Sequence, residues 1–382
     1  MIHDLQAISG QFQILGDFVD ARPWGSGHIH DSFAVTFNQA GAPVRYLVQR
    51  INHQVFKDVP AMMENIVRAT RHIRQKLAEN GTTEISRRVL TLIPTREGES
   101  FTRDAQGNFW RAWLFIEKAR THDVLETVRQ AYEAAKAFGE TQRWLRDLPA
   151  PPLHETIPNF HHGPLRYQAF LEALALDPCN RAANARPEID FLQRQAGIFE
   201  VVPRLIRLGE IPIRITHNDT KLNNVLLDEQ SGQGICVIDL DTLMPGVSLY
   251  DFGDIVRSSV SPAAEDEPDL SKVVFLAPRF EALARGFLSA VGDFLNHAEW
   301  DYLALGGPLF ALIMGARFLT DYLLGDPYYK ITRAQHNLDR CRTQFKLMEA
   351  LNRQEEVMRA MVEGIRREIT NGTSGGVSPN WS

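Results

Sequence analysis

The chain has 382 residues, of which 44% are hydrophobic and 23% charged, and this is the composition of an ordinary globular protein. The length predicts two domains or lobes rather than one small core. The formal net charge of −6 argues against a broad face for nucleic acid, although it is compatible with a local basic pocket for a phosphate. The three cysteines are far apart in the sequence, which predicts neither a disulfide framework nor a zinc site and fits a reducing cytoplasm.

The N-terminal sequence has no charged region followed by an apolar run, so no secretory signal is expected. We find no apolar stretch that approaches the roughly 20 residues of a membrane span. We therefore expect a cytoplasmic protein that binds neither a membrane nor nucleic acid, with no obligate protein partner. The small, polar residues of segment 371–382 predict a disordered tail.

Residues 1–117 have the pattern of a β-rich lobe. Segment 32–52 contains two strand-like runs around a Gly/Pro turn, which predicts a hairpin. Segment 89–119 predicts two or three further strands. Between these segments, apolar residues recur at near-helical spacing, and Pro60 and Gly81 mark the beginning and end of a helix.

After residue 118 the pattern becomes mainly helical. The predicted helices cover 123–147, 164–176, 188–197, 272–296, 299–324 and 332–369. The exception is segment 213–241, where two strand-like runs flank a turn at Ser231 and Gly232 and predict a hairpin. The fold is therefore predicted to be α+β and two-lobed, with a β-rich N-terminal lobe over 1–117 and a mainly helical lobe over 118–370.

The segment ITHNDTKLNNVLLD, residues 215–228, places charged and polar side chains directly beside an apolar run. Its register is His217-x-Asp219-x-Lys221-x-x-Asn224. In a loop of this spacing, the aspartate accepts the proton of an attacking hydroxyl and the asparagine offers an oxygen to Mg²⁺. The lysine can reach the phosphoryl group in transfer. The loop thus predicts Asp219 and Lys221 as catalytic residues and Asn224 as a metal ligand.

Four further aspartates follow this loop, in the stretches VIDLD and YDFGD. Asp239 ends an apolar strand, where it can hold the metal ion that bridges nucleotide phosphates. Asp241 lies on the same side of an extended chain and is predicted to orient a metal-bound water or a substrate hydroxyl, with a turn cap as the alternative. We expect Asp251 and Asp254 to brace the loop or line an acceptor pocket. Together these residues predict ATP- and Mg²⁺-dependent phosphoryl transfer, which relies on positioning and charge neutralisation.

These stretches resemble the aminoglycoside phosphotransferase and choline kinase family, small-molecule kinases with a protein-kinase-like fold. The stretches THNDTKLNNVLLD, VIDLDTLMPG and YDFGDIVR are most similar to those of the N-acetylhexosamine 1-kinases. The similarity runs from WGSGHIHDSF near residue 24 to HNLDRCRTQFKL near residue 347, which is most of the chain. It implies that ATP phosphorylates the anomeric hydroxyl of N-acetylglucosamine or N-acetylgalactosamine, with Mg²⁺ as the cofactor.

The resemblance implies a nucleotide site in the N-terminal lobe. Gly25, Ser26 and Gly27 stand where a glycine loop covers the nucleotide, and glycines let the backbone approach phosphates. The third strand, YLVQRIN, lacks the lysine of protein kinases, and Arg50 occupies its place as an arginine does in choline kinases. Arg50 would pair with phosphates and with Glu64 on the following helix. The strand WLFIEKA is the expected hinge over the adenine, with Phe115, Ile116 and Glu117 as its contacts.

The predicted acceptor contacts are His28, Asp219, Asp241, Arg257, Arg317 and Tyr328. The residue after Arg257 is aromatic in the N-acetylhexosamine kinases but is Ser258 here, a departure that bears on the identity of the acceptor. Arg317 matches a family arginine that contacts the sugar. The alternative for Arg317 is an ion pair with Asp321, one helical turn away.

Two other functions are compatible with the sequence. The first is a kinase for another small hydroxylated acceptor, such as choline, an aminoglycoside or a different sugar. Cationic acceptors need acidic or aromatic cages, whereas His28, Arg257 and Arg317 suit a neutral sugar better. The second is a nucleotide-binding pseudokinase scaffold. Such a protein usually lacks the catalytic aspartate or a metal ligand, whereas Asp219, Asn224 and Asp239 are all present here. A protein kinase is disfavoured because MPGVSLYDFGD leaves little room for a peptide-docking loop.

Overall fold

An antiparallel sheet occupies the first third of the chain in the computed structural model, which describes residues 3–25 and 29–372. Its strands are β1 (Asp17–Pro23), β2 (Asp31–Gln39), β3 (Ala42–Ile51), β4 (Leu92–Ile93), β5 (Thr102–Arg103) and β6 (Phe109–Leu114). They lie in the order β1-β2-β3-β6-β4, and β5 also pairs with β6. The predicted hairpin is β2–β3, in which Ala40 and Gly41 form the turn with φ of 52° and 87°.

The two faces of this sheet are covered by different elements. Helix α1 (Leu5–Ser9) and the segment after it lie on one face, where Val48 and Trp110 are buried. Helix α2 (Val59–Glu79) lies on the other face, where Ile51 and Trp113 are buried. Because side chains alternate along a strand, neighbouring residues of β3 and β6 point to opposite faces.

The rest of the chain is mainly helical, as predicted. The short helix α3 (Ile85–Arg88) precedes β4. The helices of the rest of the chain are α4 (Val128–Leu145), α5 (Gly163–Leu176), α6 (Arg186–Arg194), α7 (Val201–Arg207), α8 (Ser248–Ser259), α9 (Ala277–Val291), α10 (His297–Tyr302), α11 (Gly306–Leu323), α12 (His336–Asn352) and α13 (Glu355–Thr370). Its strands are β7 (Ala119–Arg120), β8 (Arg214–Thr216), β9 (Val225–Asp228), β10 (Gly234–Val237) and β11 (Met244–Gly246). Strand β9 lies between β10 and β7, and β8 pairs with β11.

Close packing between helices fixes the positions of the loops that connect these strands. Helices α4 and α9 touch at Gly286, where a Cβ would lie 2.2 Å from the carbonyl oxygen of Tyr132. Helix α8 approaches α11 as closely, since a Cβ at Gly253 would lie 2.4 Å from the carbonyl oxygen of Gly306. Any larger side chain at these positions would push the helices apart.

The α+β prediction is confirmed, and the differences are local. The predicted helix over 332–369 is two helices, α12 and α13. Helix α8 was not predicted: its polar residues Asp251, Asp254 and Arg257 recur at helical spacing, but they are buried rather than on a solvent-facing side, and the sequence analysis assigned the aspartates to a loop or pocket. A single hydrophobic core continues from Ile51 to Ile365, so the lobe boundary at 117 stays a prediction. Most of the proposed tail, residues 373–382, lies outside the described residues.

One helical stretch contradicts the expectation that nothing in the chain reaches the length of a membrane span. His297–Leu323 is long and apolar enough by length and composition, but 78% of its apolar window is buried inside the protein. Its side chains pack against α5, α8 and α12. Burial in the helical core therefore accounts for its apolar character.

Candidate active site

The predicted catalytic loop follows β8 and is held from behind by a buried carboxylate. Asp251, on α8, accepts hydrogen bonds from the backbone N–H groups of His217 at 2.9 Å and Asn218 at 2.8 Å. Gln142 of α4 donates a third bond to Asp251 at 2.6 Å. Burial raises the pKa of Asp251. Asp251 therefore braces the loop, one of the two roles predicted for it.

Asp219 stands at the tip of this loop with two side-chain partners. Lys221 Nζ lies 3.0 Å from Asp219 Oδ1, and Asn224 Nδ2 donates to Asp219 Oδ2 at 3.0 Å. Burial acts to raise the pKa of Asp219, but the charge of Lys221 and the neighbouring His217 outweigh it, and the pKa is lowered. Asp219 is therefore ionised near neutral pH and can accept a hydrogen bond from a hydroxyl.

Asp239 lies beside this loop in a tight turn, with a φ of 58°. The N–H of the preceding residue, Ile238, donates to the carbonyl oxygen of Asn224 at 2.9 Å, which joins the turn to the loop. Burial and the adjacent Asp241 raise the pKa of Asp239, and Asp219 adds to this effect. The carboxylate of Asp239 and the amide oxygen of Asn224 are the hard oxygen donors that Mg²⁺ prefers, so these residues fit the predicted metal.

Asp241 is not free to contact an acceptor. Arg111 Nη2 donates to Asp241 Oδ2 at 3.2 Å while Arg111 Nη1 bonds Oδ1. His30 Nε2 lies 2.6 Å from Oδ2, and His30 Nδ1 accepts the backbone N–H of Asn52, so Nε2 is the atom that donates. These bonds also explain why His30, Asp239 and Asp241 lie within 4.8 Å of one another. The predicted substrate contact of Asp241 is therefore not supported.

The predicted Arg50–Glu64 pair is wrong. Arg50 bonds Asp31 and Asn108, while Glu64 is half-exposed and contacts His154 at 3.0 Å. The physical reason is strand alternation, which sends Arg50 to the face of the sheet opposite α2.

On β3, the residue on the face of the sheet toward α2 is instead Gln49. It accepts a bond from Arg111 Nε at 3.0 Å and donates to Ser32 at 2.9 Å. Arg111 was not predicted, because the family resemblance places the cation on β3 and Arg111 is on β6. Alternation on β6 could have identified its face but not its partner.

Of the other nucleotide contacts, the glycine loop lies mostly outside the described residues. Gly25 has a φ of 83°, whereas Ser26, Gly27 and His28 lie outside the described residues. At the predicted hinge, Ile116 is buried, Phe115 packs under the Arg45 guanidinium, and Glu117 pairs with Arg45. The hydrogen bond and charge of Arg45 lower the pKa of Glu117. The hinge residues stay a prediction.

The predicted acceptor residues fall into two groups. Arg257 is buried in an ion pair with Asp254 at 2.8 Å and with Glu265 at 2.9 Å, while Ser258 beside it is exposed. Arg317 has no carboxylate partner among the described residues. Its guanidinium carbon lies 5.0 Å from the ring centre of Phe160.

The alternative pairing of Arg317 with Asp321 is absent. Asp321 instead accepts the backbone N–H groups of Tyr328 at 2.8 Å and Tyr329 at 3.0 Å. Tyr328 is 53% exposed, whereas the hydroxyl of Tyr329 is buried without a hydrogen-bond partner. The guanidinium of Arg317 lies 5.7 Å from the Tyr329 ring centre. Tyr329, rather than the predicted Tyr328, is therefore the tyrosine whose ring lies beside Arg317.

The sequence analysis also missed His161. This residue follows Phe160, which packs against Arg317, and it contacts the backbone of the catalytic loop. His161 Nε2 lies 2.8 Å from the carbonyl oxygen of Asn218, and Nδ1 is buried without a partner. Burial, aided by the positive charge of Arg317, lowers the pKa of His161 to about 3. The neutral ring therefore donates from Nε2. No spacing in the sequence could have revealed a contact between residues 57 positions apart.

We expect His161 to make the protein sensitive to acid. Between pH 6.5, its ordinary pKa, and about 3, the unfolded chain binds a proton at His161 that the folded protein does not, so the free energy of unfolding falls as pH falls. His161→Gln should lose about 1 kcal/mol of the decrease between pH 7.5 and 5.5, measured by urea unfolding. The exposed His154→Gln is the control. Equal decreases in His161→Gln and the native protein would contradict this assignment.

A β-rich lobe with a helical lobe, and an aspartate–lysine–asparagine loop beside a second aspartate, define a kinase-like small-molecule phosphotransferase. The profile of the family described as "Phosphotransferase enzyme family" matches residues 20–284. The chain therefore belongs to this family, and the family prediction is confirmed at this level.

Several solved structures are similar to this chain, and the two phosphotransferases with a TM-score above 0.5 share its fold. An aminoglycoside phosphotransferase from Alicyclobacillus acidocaldarius is 12% identical, with a TM-score of 0.55 over 96% of each chain. Spectinomycin phosphotransferase in complex with ADP and spectinomycin is 13% identical, with a TM-score of 0.55 over 92% of this chain and 99% of its own. A choline kinase from Cryptosporidium parvum is 13% identical, with a TM-score of 0.47 over 97% of this chain and 96% of its own.

Proposed function

We propose that the protein transfers the γ-phosphate of ATP to the anomeric 1-hydroxyl of an N-acetylhexosamine, either N-acetylglucosamine or N-acetylgalactosamine. The observation that carries the proposal is Arg317, whose guanidinium has no carboxylate partner within residues 3–25 and 29–372 and lies on the helical side of the site, close to the catalytic loop. A positive charge opposes choline or an aminoglycoside, whereas its N–H groups suit hydroxyl and carbonyl oxygens. The acidic side chains nearby are engaged, Asp254 by Arg257 and Asp241 by Arg111.

The residues of the loop divide the chemistry between them. Asp219 orients the acceptor hydroxyl and receives its proton as the oxygen bonds to the γ-phosphorus and ADP leaves. Lys221 offsets the negative charge of the phosphoryl group. Asn224 and Asp239 would hold Mg²⁺, which supplies charge neutralisation on the phosphates. The ADP bound in the spectinomycin phosphotransferase structure supports the use of ATP.

A panel of acceptors tests the proposal. We expect ATP consumption with N-acetylglucosamine and N-acetylgalactosamine, but not with choline or kanamycin, and phosphorus NMR should identify the products as 1-phosphates. Arg317→Ala should raise the KM for the sugar by roughly 10-fold or more, without changing the KM for ATP. Arg359→Ala, on the surface of α13, is the matched control.

The outcomes separate the alternatives. Turnover of another acceptor alone would keep the kinase and reject the N-acetylhexosamine. ATP binding without turnover of any acceptor would instead favour a pseudokinase, although the catalytic aspartate and both predicted metal ligands are present. A KM for the sugar that is unchanged in Arg317→Ala would remove Arg317 from the acceptor site.

A further inference from the structure

Arg111 is a buried cation on β6, on the face of the sheet that packs against α2. Only 2% of its side chain is exposed, and each of its three side-chain nitrogens has a partner. Nε donates to Gln49, and the two terminal nitrogens bond the two oxygens of Asp241. Two parallel bonds between an arginine and a carboxylate fix direction as well as distance. Arg111 therefore holds Asp241 in one orientation.

Asp241 belongs to the same turn as the predicted metal ligand Asp239. The residues after Asp239 form a single helical turn, Leu240–Thr242, and Asp239 itself has a φ of 58°. This left-handed conformation costs an aspartate free energy and persists only where the surroundings hold it. The bonds from Arg111 and His30 to Asp241 are the side-chain contacts that fix this turn from the sheet side.

The two partners of Asp241 come from different parts of the N-terminal region. Arg111 is in the middle of β6, and His30 precedes β2 directly after the segment predicted to cover the nucleotide. His30 is fixed in turn, because its Nδ1 accepts the backbone N–H of Asn52 at 3.0 Å. Asp241 is thus the point at which the metal turn is joined to the sheet and to the start of β2.

We propose that Arg111 is a positioning residue for the metal site. Its two bonds to Asp241 fix the turn that places Asp239 as a metal ligand. The sequence predicted a cation on β3 for the nucleotide phosphates, but on the face of the sheet toward Asp241 β3 carries Gln49, and Arg50 is on the opposite face. The inference rests on the proposed function, since it takes Asp239 as a ligand of the metal that accompanies ATP.

The experiment compares Arg111→Gln with Arg50→Gln, neighbouring arginine positions on opposite faces of the sheet. Mn²⁺ binding to the enzyme–ADP complex, followed by electron paramagnetic resonance, needs no acceptor and no turnover. Arg111→Gln should raise the Kd for Mn²⁺ roughly 10–100-fold, as losses of residues that orient metal ligands do, while Arg50→Gln should not. ADP affinity measured without metal should stay unchanged in both variants.

Two further variants keep the test decisive if Arg111→Gln does not fold. Arg111→Lys preserves the charge but not the paired bonds, and should show an intermediate Kd for Mn²⁺. Asp241→Asn should weaken Mn²⁺ binding as Arg111→Gln does. Amide hydrogen exchange of residues 238–243 should be faster in Arg111→Lys and Asp241→Asn than in the native protein, and unchanged in Arg50→Gln.

The results distinguish failure of this inference from failure of the proposed function. If the native protein binds neither ADP nor Mn²⁺, the proposed function itself fails. If the native protein binds both and the Arg111 and Asp241 variants have its Kd for Mn²⁺, the positioning role is overturned. A larger effect in Arg50→Gln than in Arg111→Lys would also overturn it, and would restore the residue that the sequence indicated.

Discussion

Asp219→Asn is expected to lower kcat by about 10²–10⁴-fold while leaving the KM for ATP nearly unchanged. The asparagine keeps the shape of the side chain and its contact with Asn224, but it cannot receive the acceptor proton. It also removes the negative charge that faces Lys221 at 3.0 Å. Initial rates at saturating ATP, measured with the best acceptor of the panel, check this expectation.

The matched control for this variant is Asn223→Ala in the same loop. The Asn223 side chain donates to Asp123 rather than to Asp219. This control should therefore retain most of the native kcat. Asp219→Asn with native kcat would assign proton transfer to another group, and Asp254, whose pKa burial raises to about 6, would be the next residue to replace.

Asp251→Ala is expected to lower the free energy of unfolding by about 3 kcal/mol or more. The change leaves two backbone N–H groups and the Gln142 amide without an acceptor in a buried site, and each such group costs about 1–3 kcal/mol. Urea unfolding of the native protein and the variant measures the difference. Since the N–H groups belong to His217 and Asn218, kcat should fall as well.

Asp190→Ala is the control for this loss of stability, because Asp190 forms only an ion pair with Arg186 on the surface of α6. Such exposed pairs contribute about 0–1 kcal/mol. Asp251→Asn should lie between the two, since one amide oxygen can still accept. A stability of Asp251→Ala within 1 kcal/mol of the native value would mean that the loop finds other acceptors for these N–H groups.

The local parts of this site could be predicted from sequence because their spacing is short. Asp219, Lys221 and Asn224 lie within six residues, and the loop does bring their side chains together. Arg111 and Asp241 are 130 positions apart, and Gln142 and Asp251 are 109 apart. No spacing rule covers such contacts, because they depend on how the sheet and helices pack. The error at Arg50 was of another kind, since the two-residue period of β3 already separated its face from that of Gln49.

The two consecutive residues Phe160 and His161 have a consequence for engineering this enzyme. The Phe160 ring packs against Arg317, the proposed acceptor contact, and His161 donates a hydrogen bond to the Asn218 carbonyl next to Asp219. A library that randomises this pair to change the acceptor would also change kcat. Variants that bind a new acceptor more tightly would then be rejected because their turnover is low. Diversity placed at Tyr329 instead would alter the side chains around Arg317 while keeping the hydrogen bond from His161 to the catalytic loop.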